Sequence, residues 1–376
     1  MLVCARGQGT FIENTISDSA WSNIEVRGEA PTKEPEVEAN ELNLKKKAYA
    51  SLGMLVPLST EGVVIAGAIT DESTATSVTL RKNVLIGGGG SGETGGATGC
   101  GNDVSDGMDP SATASLLLAD YAKGFVKENT IRGSAGDGVR IASFADPDVV
   151  SNVIEGSTGC GVRVMQGGKG RLQNNTFVRN RGAGVAVAAD GNPDVRGNAI
   201  EANQGPGVYI GVNGGGRFSA NTVQSNSGAG LELRNGAKAT IRANHVNANG
   251  SAGIVVRGSD TNGSLLVQNE IHANGAEGIL LCESADPLLE KNGVRDNAAA
   301  GVRVQSGARG RLLRNVIERN GARGVLAEDG CEPVLGENYV QANEGDDGTE
   351  GRPNAGGEAL QRERADLGDD ELESAS

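Results

Sequence analysis

The side chains that could do chemistry in this sequence are scattered. Glu155 and Glu201 are the acids whose spacing first suggests a pair, because two carboxylates at a suitable separation can share the acid and base roles of glycoside hydrolysis. His245 and His272 could bind a metal only if the fold brought them together. Asp146, Asp286 and Glu332 each precede proline, which is ordinary turn chemistry. Cys4, Cys100, Cys160, Cys282 and Cys331 are odd in number and lack metal-ligand spacing, a pattern that points to a reducing compartment, cytoplasmic or nuclear. These residues by themselves single out no catalytic group, metal or cofactor.

The elements that position them are set by a repeat. Asparagines recur at Asn129, Asn152, Asn175, Asn198, Asn221, Asn244, Asn269, Asn292, Asn315 and Asn338, always 23 residues apart except for one step of 25 at Thr261-Asn262-Gly263. A second asparagine follows five residues after the first from Asn180 to Asn343, and a glycine with an aliphatic partner follows after nine, as in Gly184-Val185 and Gly207-Val208. Apolar residues alternate with period two (Val185 and Val187, Val208 and Ile210, Leu231 and Leu233) and are closed by Gly, Asn, Asp or Pro, so each unit consists of short strands. Turns this short leave no room for crossover helices. The sequence therefore predicts an all-β, right-handed parallel β-helix of about twelve 23-residue coils, stacked about 4.8 Å apart. Asparagines in register then form a structural column, their amides hydrogen-bonding from coil to coil.

This solenoid is expected over 1–343, interrupted by loop insertions at about 32–77 and 87–114, with a disordered acidic tail at 344–376. Val37 and Thr60 stand where a strict 23-residue step would put asparagines, which favours loops in the first insertion. Laid on the repeat, Met1 falls on an inward position, so the first coil is expected to be covered by further chain or by a neighbour. The tail holds eleven acids against three arginines, a net charge of −8 within a total of −14. Such acidity disfavours a nucleic-acid backbone as partner, and no apolar run is long enough to span a membrane as a helix.

Stacking also orders the outward side chains into rows. The glycine-strand rows lack adjacent acids of the kind a Ca²⁺-dependent lyase would need, and Glu155 and Glu201 lie two coils apart, roughly 9.6 Å. What these rows do collect is a strip of apolar and aromatic residues, Ala186, Tyr209, Val255 and Leu280, flanked by Arg140, Arg163, Glu232, Arg234 and Arg257. Aromatic and arginine anchors on an extended surface are what binding sites use. The same strip would serve a different end if inserted loops covered it.

The turns before the asparagines alternate between a glycine type (Ala122-Lys123-Gly124, Gly168-Lys169-Gly170, Ala308-Arg309-Gly310) and a proline type (Ala145-Asp146-Pro147, Gly191-Asn192-Pro193, Cys331-Glu332-Pro333), an underlying period of 46. With its G-V-x-V strands and N-x-I turns, this pattern resembles the β-helical repeat region of F-box-only proteins, substrate receptors of cullin-based ubiquitin ligases. The resemblance implies a protein-binding scaffold without intrinsic catalysis, whose partners are a protein substrate and ubiquitin-ligase subunits. The alternative is a polysaccharide-binding or polysaccharide-modifying β-helix, with carbohydrate as its ligand.

Overall fold

The computed structural model describes residues 114–119 and 121–345 together with seven strands upstream of them, between Leu2 and Ile86. It is a parallel β-solenoid whose coils each contribute strands to three faces. In one coil these are Val185–Val187 on the first face, Asp194–Arg196 on the second and Ala199–Glu201 on the third. Each pairs in parallel register with its equivalent in the next coil, Val185 with Val208, Val195 with Phe218 and Ile200 with Val223. The first face is a 13-stranded sheet, continuous from Leu2–Cys4 to Val325–Ala327.

Alternation along three-residue strands decides what lies inside. The first face sends in two side chains per coil and the other faces one each, so Val185, Val187, Val195 and Ile200 are all fully buried. These aliphatics, with Phe177 and Phe218, join one uninterrupted core along the axis. A bore this narrow explains the low aromatic content. It also explains the glycine that opens each first-face strand: a Cβ on Gly184 would sit 2.4 Å from Ile200 Cγ2 and 2.9 Å from Asn203 Nδ2.

The corner between the second and third faces is turned by one residue in the left-handed region, such as Asn174 (φ 54°), Ala220 (φ 51°) or Ala243 (φ 52°). The ladder asparagine follows directly. Asn198 Oδ1 accepts from both the backbone N–H (2.8 Å) and the side-chain amide (3.0 Å) of Asn175, while its own Nδ2 donates to Asn221 Oδ1 at 2.9 Å and to the Leu172 carbonyl at 2.8 Å. Every hydrogen-bonding capacity of the buried amide is thereby filled. The second asparagine row, Asn180 to Asn343, repeats the arrangement at the corner between the third and first faces, as in Asn203 Nδ2 to Asn226 Oδ1 at 2.9 Å. Across the 25-residue step the bond persists, Asn244 to Asn269 at 3.0 Å, because the added residues are taken up by a short 3₁₀ turn at Ser259–Thr261.

Two strands fall within 32–77: Glu36–Asn43, which pairs with Glu13–Ser17 so that Asn14 faces Asn40, and Val63–Ala66, which joins the first face. A coil is thus present there on a step of 26 rather than 23 residues, which a search at fixed spacing passes over. The rest of 32–77, most of 87–114 and the tail after 345 lie outside the described residues.

Replacing Asn198 by Ala removes the acceptor of two buried donors and exposes a third gap at Leu172. The expected loss is roughly 3 kcal/mol. Asn262→Ala, in the exposed lengthened turn, is expected to change stability by less than about 0.5 kcal/mol. Chemical denaturation of the two variants checks the difference; equal effects would contradict a stability role for the column.

Candidate functional site

Stacking on the first face places the outward residues of successive coils beside one another, and the nine residues of the binding strip separate into three groups. The first is centred on an acid that the strip omitted. Asp137 is buried (2% exposed) and faces Arg140 Nη2 at 2.9 Å and Arg163 Nε at 2.8 Å, with the Cys160 N–H donating to its other oxygen at 2.9 Å. Burial alone would raise the Asp137 carboxyl, but the Arg163 and Arg140 guanidinium groups outweigh it and hold the carboxyl below the usual range. The column of Asp137 gives no single signal for it, reading Cys160, Ala183, Pro206, Ala229 and Ala252 in the next coils and then a second acid, Glu277, which meets Arg303 at 3.3 Å.

The second group begins on a floor of small side chains. Cys160, Ala183 and Ala186 pack together against Tyr209. Tyr209 accepts a hydrogen bond from Arg234 Nε at 3.0 Å, and the Arg234 guanidinium lies 5.4 Å from the ring centroid, a cation–π distance. Beside Tyr209 in register stands Glu232, only 17% exposed, with Arg257 Nε 3.6 Å away. Arg257 also approaches Glu283, which lies in the turn after the strand Ile279–Cys282, at 3.4 Å. Desolvation raises the Glu232 carboxyl, and the nearby Arg257 and Arg234 offset that only in part. Glu283 sits between two outward rows, on a turn with φ 57°, and strand alternation gives no clue to it.

The third group is apolar. Val255 is buried against Ala229 and Ala252, with Leu280 and Ala276 partly covering them. The strip is therefore not one continuous apolar surface: it is a buried ion cluster, an aromatic and charged patch, and an aliphatic cluster in succession.

Other candidates are absorbed by their neighbours. Glu155 pairs with Arg132 at 2.6 Å and with Arg179, and Glu201 accepts from Gln224 at 2.9 Å, so the two carboxylates do not converge. His245 lies opposite Glu270 and His272 opposite Asn247, in different rows of the third face. Among the described residues no group of three or more His, Cys, Asp and Glu could hold a metal ion.

The chain belongs to the right-handed β-helix family, whose model, described as right handed beta helix region, matches residues 90–233 and 210–356. Among solved structures it is similar to the periplasmic alginate epimerase AlgG, with a TM-score of 0.54 and 12% identity over 72% of this chain and 69% of that one. A point mutant of the same epimerase gives 0.54 and 12% over 91% of this chain and 76% of that one. At this identity the likeness is one of fold. No curated protein matches the chain. None of these findings points to F-box proteins, so the ubiquitin-ligase partners have no support in them. The cytoplasmic or nuclear reading is overturned: the similar structure is a periplasmic protein, and Cys160 is disulfide-bonded while Cys282 and Cys331 are free. An odd cysteine count did not reveal that one of them is paired, and reducing compartments do not sustain such bonds.

Asp137→Asn leaves two guanidinium groups without their carboxylate and is expected to cost about 3 kcal/mol at neutral pH. Because the native carboxyl titrates below its ordinary value of 3.8, its stabilisation is present above that pH and is lost as pH falls through the native value. Urea unfolding at several pH values checks this: the difference between wild type and variant should shrink only at the acid end.

Proposed function

We propose that this chain is a periplasmic or extracellular polysaccharide-binding β-helix that takes an acidic polymer across the first face at Tyr209. The observation that carries the reading is the patch itself. An aromatic ring stands above an alanine floor, with Arg234 and Arg257 on the next two coils. Sugar rings present apolar faces that pack on aromatic rings, and guanidinium groups match carboxylates in charge and geometry. A solenoid repeats its surface at about 4.8 Å per coil, so an extended polymer can lie along or across several coils at once. The likeness of fold to alginate epimerases agrees with such a ligand class. The disulfide at Cys160, directly under the patch, agrees with an oxidising location.

Titration calorimetry with polymannuronate, set beside a neutral glucan, tests the reading. Binding of the acidic polymer alone is expected, weakened by added salt, and Tyr209→Ala is expected to lower affinity about tenfold. Saturable binding of neither polymer would refute it.

For the compartment, protein prepared without reductant should leave Cys160 unalkylated while Cys331 reacts, as read by peptide mass mapping. Full alkylation of Cys160 under those conditions would argue for a reducing location.

A further inference from the structure

Among the described residues Glu232 has one ion-pair partner, Arg257, and the two do not close on each other. Glu232 Oε1 and Arg257 Nε stand 3.6 Å apart, beyond hydrogen-bond length, and that Nε is a buried donor with no hydrogen-bond partner. Lys291 and Glu290 at 3.6 Å and Arg295 and Asp296 at 3.9 Å are as open, but each of those acids also closes on a second arginine, Glu290 on Arg314 and Asp296 on Arg319, whereas Glu232 does not. A half-buried carboxyl left open beside an unsatisfied donor, with its ionisation disfavoured by burial, is a group poised to give up a proton.

On the other side of the same guanidinium is Glu283, 3.4 Å from Arg257 Nη1 and 60% exposed. Two carboxyl groups that flank one guanidinium at these contact distances are held within roughly 9 Å of each other, inside the window of about 5 to 9.5 Å that glycoside hydrolysis uses. Their surroundings differ in the sense that assigns acid and base roles: one is largely withdrawn from water and one faces it. Tyr209 lies one strand away and Arg234 two residues on in the same coil as Glu232, where the polymer of the proposed function would rest.

We infer that Glu232 and Glu283 are the proton donor and the water-activating carboxylate of a glycoside-hydrolysing site on the first face, with Arg257 holding the two apart. This rests on the polysaccharide reading above and adds a reaction to it. In the step, the Glu232 carboxyl proton passes to the glycosidic oxygen as the C1–O bond breaks and the bonding electrons stay on that oxygen. A water oxygen forms the new bond to C1, and its proton goes to Glu283. No oxidant, reductant or metal enters the balance.

The test uses the full chain with polymannuronate in ¹⁸O-labelled water, with products read by mass spectrometry. Hydrolysis places one ¹⁸O at each new reducing end. Glu232→Gln and Glu283→Gln should each slow cleavage by about 100-fold or more while polymer affinity is retained. The rate should fall at high pH as Glu232 loses its proton, and that alkaline limb should be absent from the residual activity of Glu232→Gln. Because Glu283 is on an exposed turn, its variant remains informative if Glu232→Gln folds poorly. Binding without cleavage, unlabelled unsaturated ends from elimination, or full activity in both variants would overturn this inference and leave the binding function standing. Absence of any polymer binding would overturn both.

Discussion

The structure depends on one constraint: every coil must turn two tight corners around a bore too narrow for water, and the backbone at those corners has to be satisfied from within. The asparagine columns meet it. A left-handed residue turns the chain, and the amide that follows supplies two acceptor sites to the coil before and two donors, to the coil after and to a backbone carbonyl. A non-glycine residue in that conformation costs of order 1 kcal/mol, and it is held because a saturated buried amide over-determines the turn. Because the amide reads the register of the next coil, the columns also align all three sheets. The glycine at the start of the first face is a consequence, since the Asn203 amide and Ile200 together leave no room for a Cβ on Gly184.

The same constraint explains what could be read in the sequence. The ladder, the alternating strands and the fold were legible because each coil must solve an identical problem with identical residue types. The strand Glu36–Asn43 was not legible at a fixed step, because it returns to register with Glu13–Ser17 after 26 residues rather than 23. The 25-residue step shows directly that turn length can vary, its extra residues looped out while Asn244 and Asn269 stay bonded. Outward positions carry no such requirement. Ala186, Tyr209 and Glu232 could be placed on one row from the period, but that Asp137 would bind two arginines, or that Glu283 would reach Arg257 from a turn, depends on side-chain paths that periodicity does not encode.

Charge is handled differently on the three faces. On the second and third faces acids and bases mostly close on each other between neighbouring coils, Asp148 with Arg171 and Asp296 with Arg319 at 2.9 Å, at exposed positions where such pairs contribute little to stability. The first face instead buries Asp137 between two arginines and withdraws Glu232 from water. Burying charge is costly unless it is paired and hydrogen-bonded, so a face that does so four coils from where it leaves a pair open has two distinct electrostatic environments on one sheet.

That contrast bears on where function sits in a solenoid. Its core fixes the inward residues of every coil to the same few types, and its columns fix the corners, so the only freely variable chemistry lies on outward strand positions and in turns. The Asp137 cluster satisfies all of its acceptors internally and is suited to rigidity under the Cys160 end of the patch. Glu232 and Arg257 leave theirs unfilled at 3.6 Å, one coil beyond an aromatic ring over an alanine floor. An ion pair that served stability alone would gain by closing that gap, since a buried unmet donor costs about 1 to 3 kcal/mol. Its openness is therefore better accounted for by a group that arrives from solution than by anything the coil itself supplies.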